Sequence, residues 1–235
     1  MNRIILLGVL TLYACQPRTT QLQSKATKAA ANLQQVSAKQ TVAPEFLITP
    51  NGIGQAKIGM ALGQLKQISP RNTEFALVPS FTSEFNAIAV TKQGLVQYYI
   101  LFEIESDSEL KQSESLFEPR DNDIITLLLT SNYNYQTQEG INVGTSIQEA
   151  EDIYGNAVLA YNLDGESAEY ISFGNYEPPN VRFRASHSRL ISNGLGFAGI
   201  YPEYPGVTYT TDKYQSDAAI AVIEVSCNDN TCPGS

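Results

Sequence analysis

The side chains of this 235-residue chain best suited to chemistry are three cysteines, one histidine and twenty-four carboxylates. Cys227 and Cys232 enclose only Asn228-Asp229-Asn230-Thr231. In an oxidising compartment two such neighbours close a disulfide, and so short a loop contributes ~2 kcal/mol in the chain-entropy picture. Two free thiols or half a metal site are the competing readings. Structural zinc takes four ligands, and a single histidine supplies few. That histidine, His187, sits in Arg182-Phe183-Arg184-Ala185-Ser186-His187-Ser188-Arg189. A hydrolytic triad needs a nucleophile and an acid beside it, and the chain has no G-x-S-x-G elbow. The serine-rich context reads as a surface turn.

The acids group in three places. Glu103, Glu105, Asp107 and Glu109 alternate with other residues, so in a strand they would share one face and repel. Asp121-Asn122-Asp123 and Asn228-Asp229-Asn230 are the others. Calcium takes clustered carboxylates and carbonyls, but none of the three has EF-hand spacing. Glycoside hydrolysis needs a carboxylate pair, and acids this abundant single out no pair. Gly194-Leu195-Gly196-Phe197-Ala198-Gly199 spells G-x-G-x-x-G but runs on into Ile200-Tyr201-Pro202. It lacks the strand-then-helix context of a dinucleotide site, and reads as a strand from Leu195 to Tyr201 with a bend. No catalytic residue, metal ion or cofactor is implied by these patterns.

Recognition chemistry is better represented. The stretch Phe197 to Tyr209 carries Tyr201, Tyr204 and Tyr209 with two prolines. Tyrosine is enriched at protein interfaces, offering rigid area and a hydroxyl. With Tyr176, in Tyr176-Glu177-Pro178-Pro179, these residues would form one recognition rim. The alternative is that they cap the core at strand ends.

The N-terminus sets the location. Arg3 precedes an apolar run from Ile4 to Leu12, and Ala14 precedes Cys15, so residues 1–14 read as a secretory signal peptide. The run is too short to span a bilayer, which takes about 20 apolar residues. Leu12-Tyr13-Ala14-Cys15 resembles the bacterial lipobox. The resemblance implies a diacylglyceryl thioether on Cys15 and an acylated new N-terminus. Each buried CH₂ contributes ~0.8 kcal/mol, so two or more chains anchor stably. It also implies a lipid-anchored, periplasm-facing protein of the cell envelope. With Gln16 rather than aspartate after the cysteine, the outer membrane is favoured over the inner. Ordinary secretion, with Cys15 irrelevant, is the other reading.

Charge then divides the chain. Residues 1–43 hold five basic residues and no acid, leaving ten basic residues against all twenty-four acids and a balance of −14 over residues 44–235. Such a domain is a poor nucleic-acid binder, because phosphate contacts need basic patches. Residues 15–43, the modifiable cysteine and a Gln-, Ala-, Ser- and Lys-rich stretch, cannot bury enough apolar surface to fold alone. They read as a tether.

Two later segments echo each other. Gly52 to Ile68 and Gly140 to Gly155 each run from glycine through a β-branched residue to a second glycine and an amphipathic helix. Aligning Gly59 with Gly144 sets Leu62 on Ile147, Leu65 on Ala150 and Ile68 on Ile153. Ser146 and Glu149 have capping-box spacing, and Gly155 is placed to end the second helix. Strand-like runs follow: Thr73–Val78, Phe85–Thr91 and Leu95–Glu103 after the first, with Lys92-Gln93-Gly94 as a hairpin turn. Glu169–Phe173, Val181–Ala185, Leu195–Tyr201 and Ala219–Val225 follow the second. Asp123–Thr130 reads as a helix. The expected fold is therefore α+β, two duplicated helix-plus-antiparallel-sheet units over residues 44–130 and 131–235.

Ile58-Gly59-Met60 with Leu62 and Leu65, and Val143-Gly144-Thr145 with Ile147, Ala150 and Gly155, resemble the repeat of the β-lactamase-inhibitor-protein fold, also found in small outer-membrane assembly lipoproteins. The resemblance implies noncatalytic binding of a protein partner through an open sheet face. The expected function is thus a membrane-anchored module in assembly, scaffolding or inhibition. The alternative is a cell-envelope hydrolase acting through carboxylates that the sequence does not single out.

Overall fold

Runs rich in Val, Ile, Tyr and Phe, punctuated by glycine and proline, make strands the dominant regular structure of the described chain. The computed structural model describes residues 42–104, 117–162, 168–174, 178–186, 190–191, 194–202 and 206–227. After a 3-10 turn at Pro44–Phe46 come β1 (Leu47–Thr49), β2 (Gly52–Ile53), β3 (Ala56–Lys57), helix α1 (Leu62–Ile68), β4 (Thr73–Val78), β5 (Phe85–Lys92), β6 (Leu95–Glu103) and β7 (Leu127–Thr130). Then follow β8 (Gln136–Thr137), helix α2 (Ile147–Tyr154), β9 (Ala157–Asn162), β10 (Glu169–Phe173), β11 (Val181–Ser186), β12 (Leu190–Ile191), β13 (Gly194–Leu195), β14 (Thr208–Thr211) and β15 (Ala219–Ser226).

Nine of these strands form one sheet in the order β14-β9-β10-β11-β15-β7-β6-β5-β4. Every neighbouring pair in it is antiparallel. A smaller sheet runs β3-β2-β1-β8, its last pair parallel. This overturns the α+β expectation of two helix-plus-sheet units. The protein is mostly β, with helices of only seven and eight residues. The strands on either side of the chain's midpoint join into one sheet because β7 pairs β6 on one side and β15 on the other.

β7 also corrects the helix expected at Asp123–Thr130. Leu128 and Leu129 are buried against opposite faces of the sheet. A strand covered on both sides reads as a continuous apolar run, which periodicity cannot tell from a buried helix. Tertiary pairing decided it.

The two glycine-led segments nonetheless share local geometry. Gly59 N–H donates to Ile125 O and Gly144 N–H to Ile220 O, each at 2.8 Å. Leu62 N–H donates to Asp123 O and Ile147 N–H to Ala218 O, at 2.9 and 3.0 Å. Both glycines have positive φ, 83° and 97°, a conformation that favours glycine. The helix starts differ. Ser146 Oγ accepts from Glu149 N–H at 3.2 Å while Glu149 Oε2 accepts from Ser146 N–H at 3.2 Å. At α1 the equivalent residue is Ala61, and only the reach-back from Gln64 remains. Gly155, at φ 84°, ends α2.

Leu62, Leu65, Ile147 and Ala150 are fully buried, but Ile68 and Ile153 are about half exposed. Steps of three fall 60° short of a full turn, so a second step leaves the buried face. On α2 that place goes to Tyr154, seven residues after Ile147. One sheet face, with Ile88, Ile100, Leu128, Leu159, Ile171, Phe183 and Ile223, packs with both helices and the small sheet into the main core. On the other face Ala87, Leu101 and Leu129 form a smaller cluster with Phe81, Phe85 and Tyr99.

Candidate functional site

At the β14 end of the sheet, strand pairing sets Tyr209 opposite Tyr161. Their rings are parallel, 4.8 Å apart at 2°. Phe197 stacks on Tyr161 at 4.1 Å and 17°, and Tyr201 meets Tyr161 edge-on at 4.7 Å. Stacked and edge-to-face pairs each add about 0.5–1.5 kcal/mol beyond area burial. The cluster is not sealed: Phe197 is 40% exposed, Ile200 47% and Val207 50%.

This aromatic edge is fixed by Glu169. The residue shares the core face of β10 with Ile171 and Phe173 and is only 5% exposed. An ionised carboxylate there must be hydrogen-bonded. Ala198 N–H donates to Oε2 at 2.6 Å, Gly199 N–H to Oε1 at 2.7 Å, and Tyr201 Oη–H to Oε1 at 2.6 Å. These are short, charge-assisted bonds. Any Cβ at Gly199 would lie 2.7 Å from the Tyr201 ring and 2.8 Å from Glu169 Oε1. Burial raises the Tyr201 hydroxyl pKa, and the bond to anionic Glu169 raises it further. Burial likewise raises that of Tyr161. The strand expected at Leu195–Tyr201 is therefore corrected. The β13 strand ends at Leu195, the Ala198 and Gly199 amides turn to the carboxylate, and the only further pairing of this segment among the described residues is a single antiparallel bridge between Gly199 and Tyr214.

A second feature lies on the opposite face. β11 presents Arg182 and Arg184 there, and β15 presents Glu224, directly opposite Arg182 in the ladder. Glu224 is 2% exposed and takes both guanidinium groups, Arg182 at 3.4 Å and Arg184 closer. The Tyr170 ring of β10 lies under both cations, 4.1 Å from Arg182 Cζ and 5.2 Å from Arg184 Cζ. The cluster lines a depression of about 780 Å³ whose other walls include Glu84, Glu103, Phe85 and Leu127.

Of the tyrosines read from sequence as a rim, Tyr201 and Tyr209 come together; Tyr176 and Tyr204 lie outside the described residues. So do Cys15 with the signal peptide, most of the tether, His187, Glu105, Asp107, Glu109, Asn228-Asp229-Asn230 and Cys232. Cys227 donates its N–H to Thr126 O at 3.2 Å. Asp121 bonds Lys66 at 2.7 Å and Asp123 accepts from Arg120 N–H at 2.7 Å. Among the described residues no three His, Cys, Asp or Glu side chains are placed to share a metal ion, and no helix is long and apolar enough to cross a membrane.

Sequence reasoning missed Glu169, Tyr161 and the Arg182–Arg184 pair. Arg182 and Arg184 carried a signal, since residues two apart in a strand share a face. Glu169 carried none, because its donors arrive from 29 to 32 residues away.

The fold and its two polar clusters define a mostly β protein built on one long antiparallel sheet. No family model matches the chain, and no curated protein matches it. Among solved structures it is similar to the crystal structure of the uncharacterized protein yfeY from Escherichia coli. Sequence identity is 14%, the TM-score is 0.43, and the match covers 77% of this chain and 99% of that chain.

Proposed function

We propose that this protein is an extracytoplasmic lipoprotein, anchored through Cys15 and spaced from the membrane by residues 16–43, whose β domain is a noncatalytic protein-binding module. The observation that carries the reading is the aromatic edge. Rigid stacked rings that are half open to solvent, with exposed Ile200 and Val207 beside them, supply the low-entropy apolar area that protein interfaces favour. Glu169 supports the same reading. A carboxylate already holding two amides and a phenol pre-organises the edge and removes ordering cost from binding. The Cys227–Cys232 disulfide belongs to this proposal, because two cysteines so close in sequence pair and stay paired in an oxidising compartment.

The test is capture from detergent-solubilised membranes with the wild-type chain and with a Phe197→Ala/Tyr209→Ala variant of matched thermal stability. A stoichiometric protein retained by the wild type and lost by the variant is the expected result. Equal retention by both, or no retained protein, ends the reading. Intact mass spectrometry tests the anchor: the mature chain is expected to begin at Cys15 with its acyl chains.

A further inference from the structure

β4 is the outermost strand at one end of the nine-stranded sheet, and β5 is its one neighbour there. We propose that this edge pairs antiparallel with the same edge of a second copy of the chain, across a two-fold axis at Ala76. The pairing is independent of the aromatic edge, because β14 ends the sheet on the other side.

Backbone chemistry leaves β4 open. Every strand residue carries a donor and an acceptor, and an end strand uses one side of its ladder. Among the described residues, Glu74 to Val78 make no backbone bond to a turn or loop. Folded proteins blunt such an edge with proline, lysine, a bulge or a very short strand. β4 has none of these. It reads Thr-Glu-Phe-Ala-Leu-Val over six residues, and its register with β5 runs without a shift from Thr73–Lys92 to Val78–Ala87. The opposite edge, β14, has only four residues.

Side chains select the occupant and the register. Phe75 and Leu77 lie opposite Val90 and Ile88, which belong to the main core. Phe75 packs on that core, whereas Leu77 is 51% exposed. With Ala76 on the axis, Phe75 faces Leu77 of the second copy and Leu77 faces its Phe75, so both apolar side chains gain cover twice over. On the other face Glu74, the one charge of the strand, meets Val78 of the second copy. An axis at Phe75 would set Leu77 on Thr73. An axis at Glu74 would set two carboxylates directly opposite, which is destabilising. An axis at Leu77 would pair only Ala76 to Val78. The strand is thus self-complementary in one register.

The two-fold also ends the assembly. Each copy spends its only β4, so pairing stops at two instead of growing into a fibre. The paired stretch, Glu74 to Val78, is about 16 Å long at ~3.3 Å per residue. Such a strip is small beside the ~800 Å² per partner of a standard interface, which places the dimer in the weak, transient class.

The test is disulfide trapping in the full mature chain in detergent, with one cysteine added at the edge and a mild copper oxidant. Directly opposite residues of an antiparallel pair have Cα atoms about 4.5–5.5 Å apart, within the span of a disulfide. Ala76→Cys is expected to give a reducible dimer, and Glu74→Cys, which faces Val78 of the second copy, far less. Sedimentation equilibrium of the chain without an added cysteine is expected to show a monomer–dimer equilibrium. Leu77→Lys is expected to weaken it about tenfold or more, through two lost leucine contacts per dimer. Thermal unfolding is followed for each variant, and exposed Leu77→Lys is expected to keep the midpoint. No trapped dimer from folded Ala76→Cys overturns the proposal. Equal trapping at positions 74 and 76 overturns it too, as does a dimer that Leu77→Lys leaves unchanged. Oxidation in intact membranes that links Ala76→Cys to a different protein would assign the edge to that protein and overturn the second copy.

Discussion

Glu169 and Glu224 are two buried carboxylates on opposite faces of one sheet, and they are held by different chemistry. Glu169 faces the core and is held by neutral donors, two backbone amides and a phenol. Glu224 faces the depression and is held by two guanidinium groups over a tyrosine ring. Amides belong to a loop, so the first arrangement fixes a chain path. Both arginines stand on β11, the strand beside that of Glu224, so the second leaves the path alone and joins two strands through their side chains. Burial of a carboxylate is thus a shared feature with two outcomes: a rigid aromatic edge on one side and an arginine-lined depression on the other.

Removing each carboxylate separates the two roles. Glu169→Ala leaves two buried amides and a phenol without their acceptor and is expected to destabilise by about 3–5 kcal/mol. Denaturant unfolding checks the size, and near-ultraviolet circular dichroism is expected to lose the part of its tyrosine signal that Tyr161, Tyr201 and Tyr209 contribute. Glu224→Ala is expected to be milder, about 2–3 kcal/mol, because half-exposed Arg182 can turn to water while Arg184 is left more buried. Its tyrosine signal is expected to persist. A Glu224 variant that disorders the tyrosines would erase the distinction.

Tyr201→Phe removes one donor from Glu169 and keeps the ring, so a loss of about 1–2 kcal/mol is expected by thermal unfolding. Ser146→Ala, remote from both acids, removes the α2 cap and sets the background at about 1 kcal/mol. Alkaline pH sharpens the contrast. Burial lifts Tyr135 to about 12, with the Glu45 charge adding to it. Burial lifts Tyr214 to about 12 too, with the bond to Glu151 adding to it. Tyr201 moves in the same direction. An unfolded tyrosine ionises near 10. A folded-state pKa raised above that value gives stability that is whole below pH ~10 and falls as pH rises through the folded values. Unfolding midpoints with absorbance at 295 nm are expected to fall steeply from pH ~10 to ~12.

Local signals in the sequence carried far. β4 and β6 run between the expected residues, Thr73 to Val78 and Leu95 to Glu103, since clear turns bound them. Gln93 and Gly94, both at positive φ, close the β5–β6 hairpin. The S-x-x-E box at Ser146 and the stop at Gly155 are present because caps are local physics. What sequence could not convey was which strands meet. β7 was illegible as a strand because both its faces are covered, and the single sheet follows from its two partners. The aromatic edge was half legible. Tyr201 and Tyr209 stand out by type, whereas Tyr161 joins them only through the β9–β14 register.

In the function proposed, the aromatic edge, and not the sheet at large, meets a protein partner. The direct measurement is photo-crosslinking in intact cells with benzoylphenylalanine placed at Phe197, against the same probe at Leu95, which is 65% exposed at the start of β6, after the Gln93–Gly94 turn. A discrete protein adduct from position 197, and none from position 95, is the predicted result. Adducts of equal strength from both positions, or none from position 197, would contradict it.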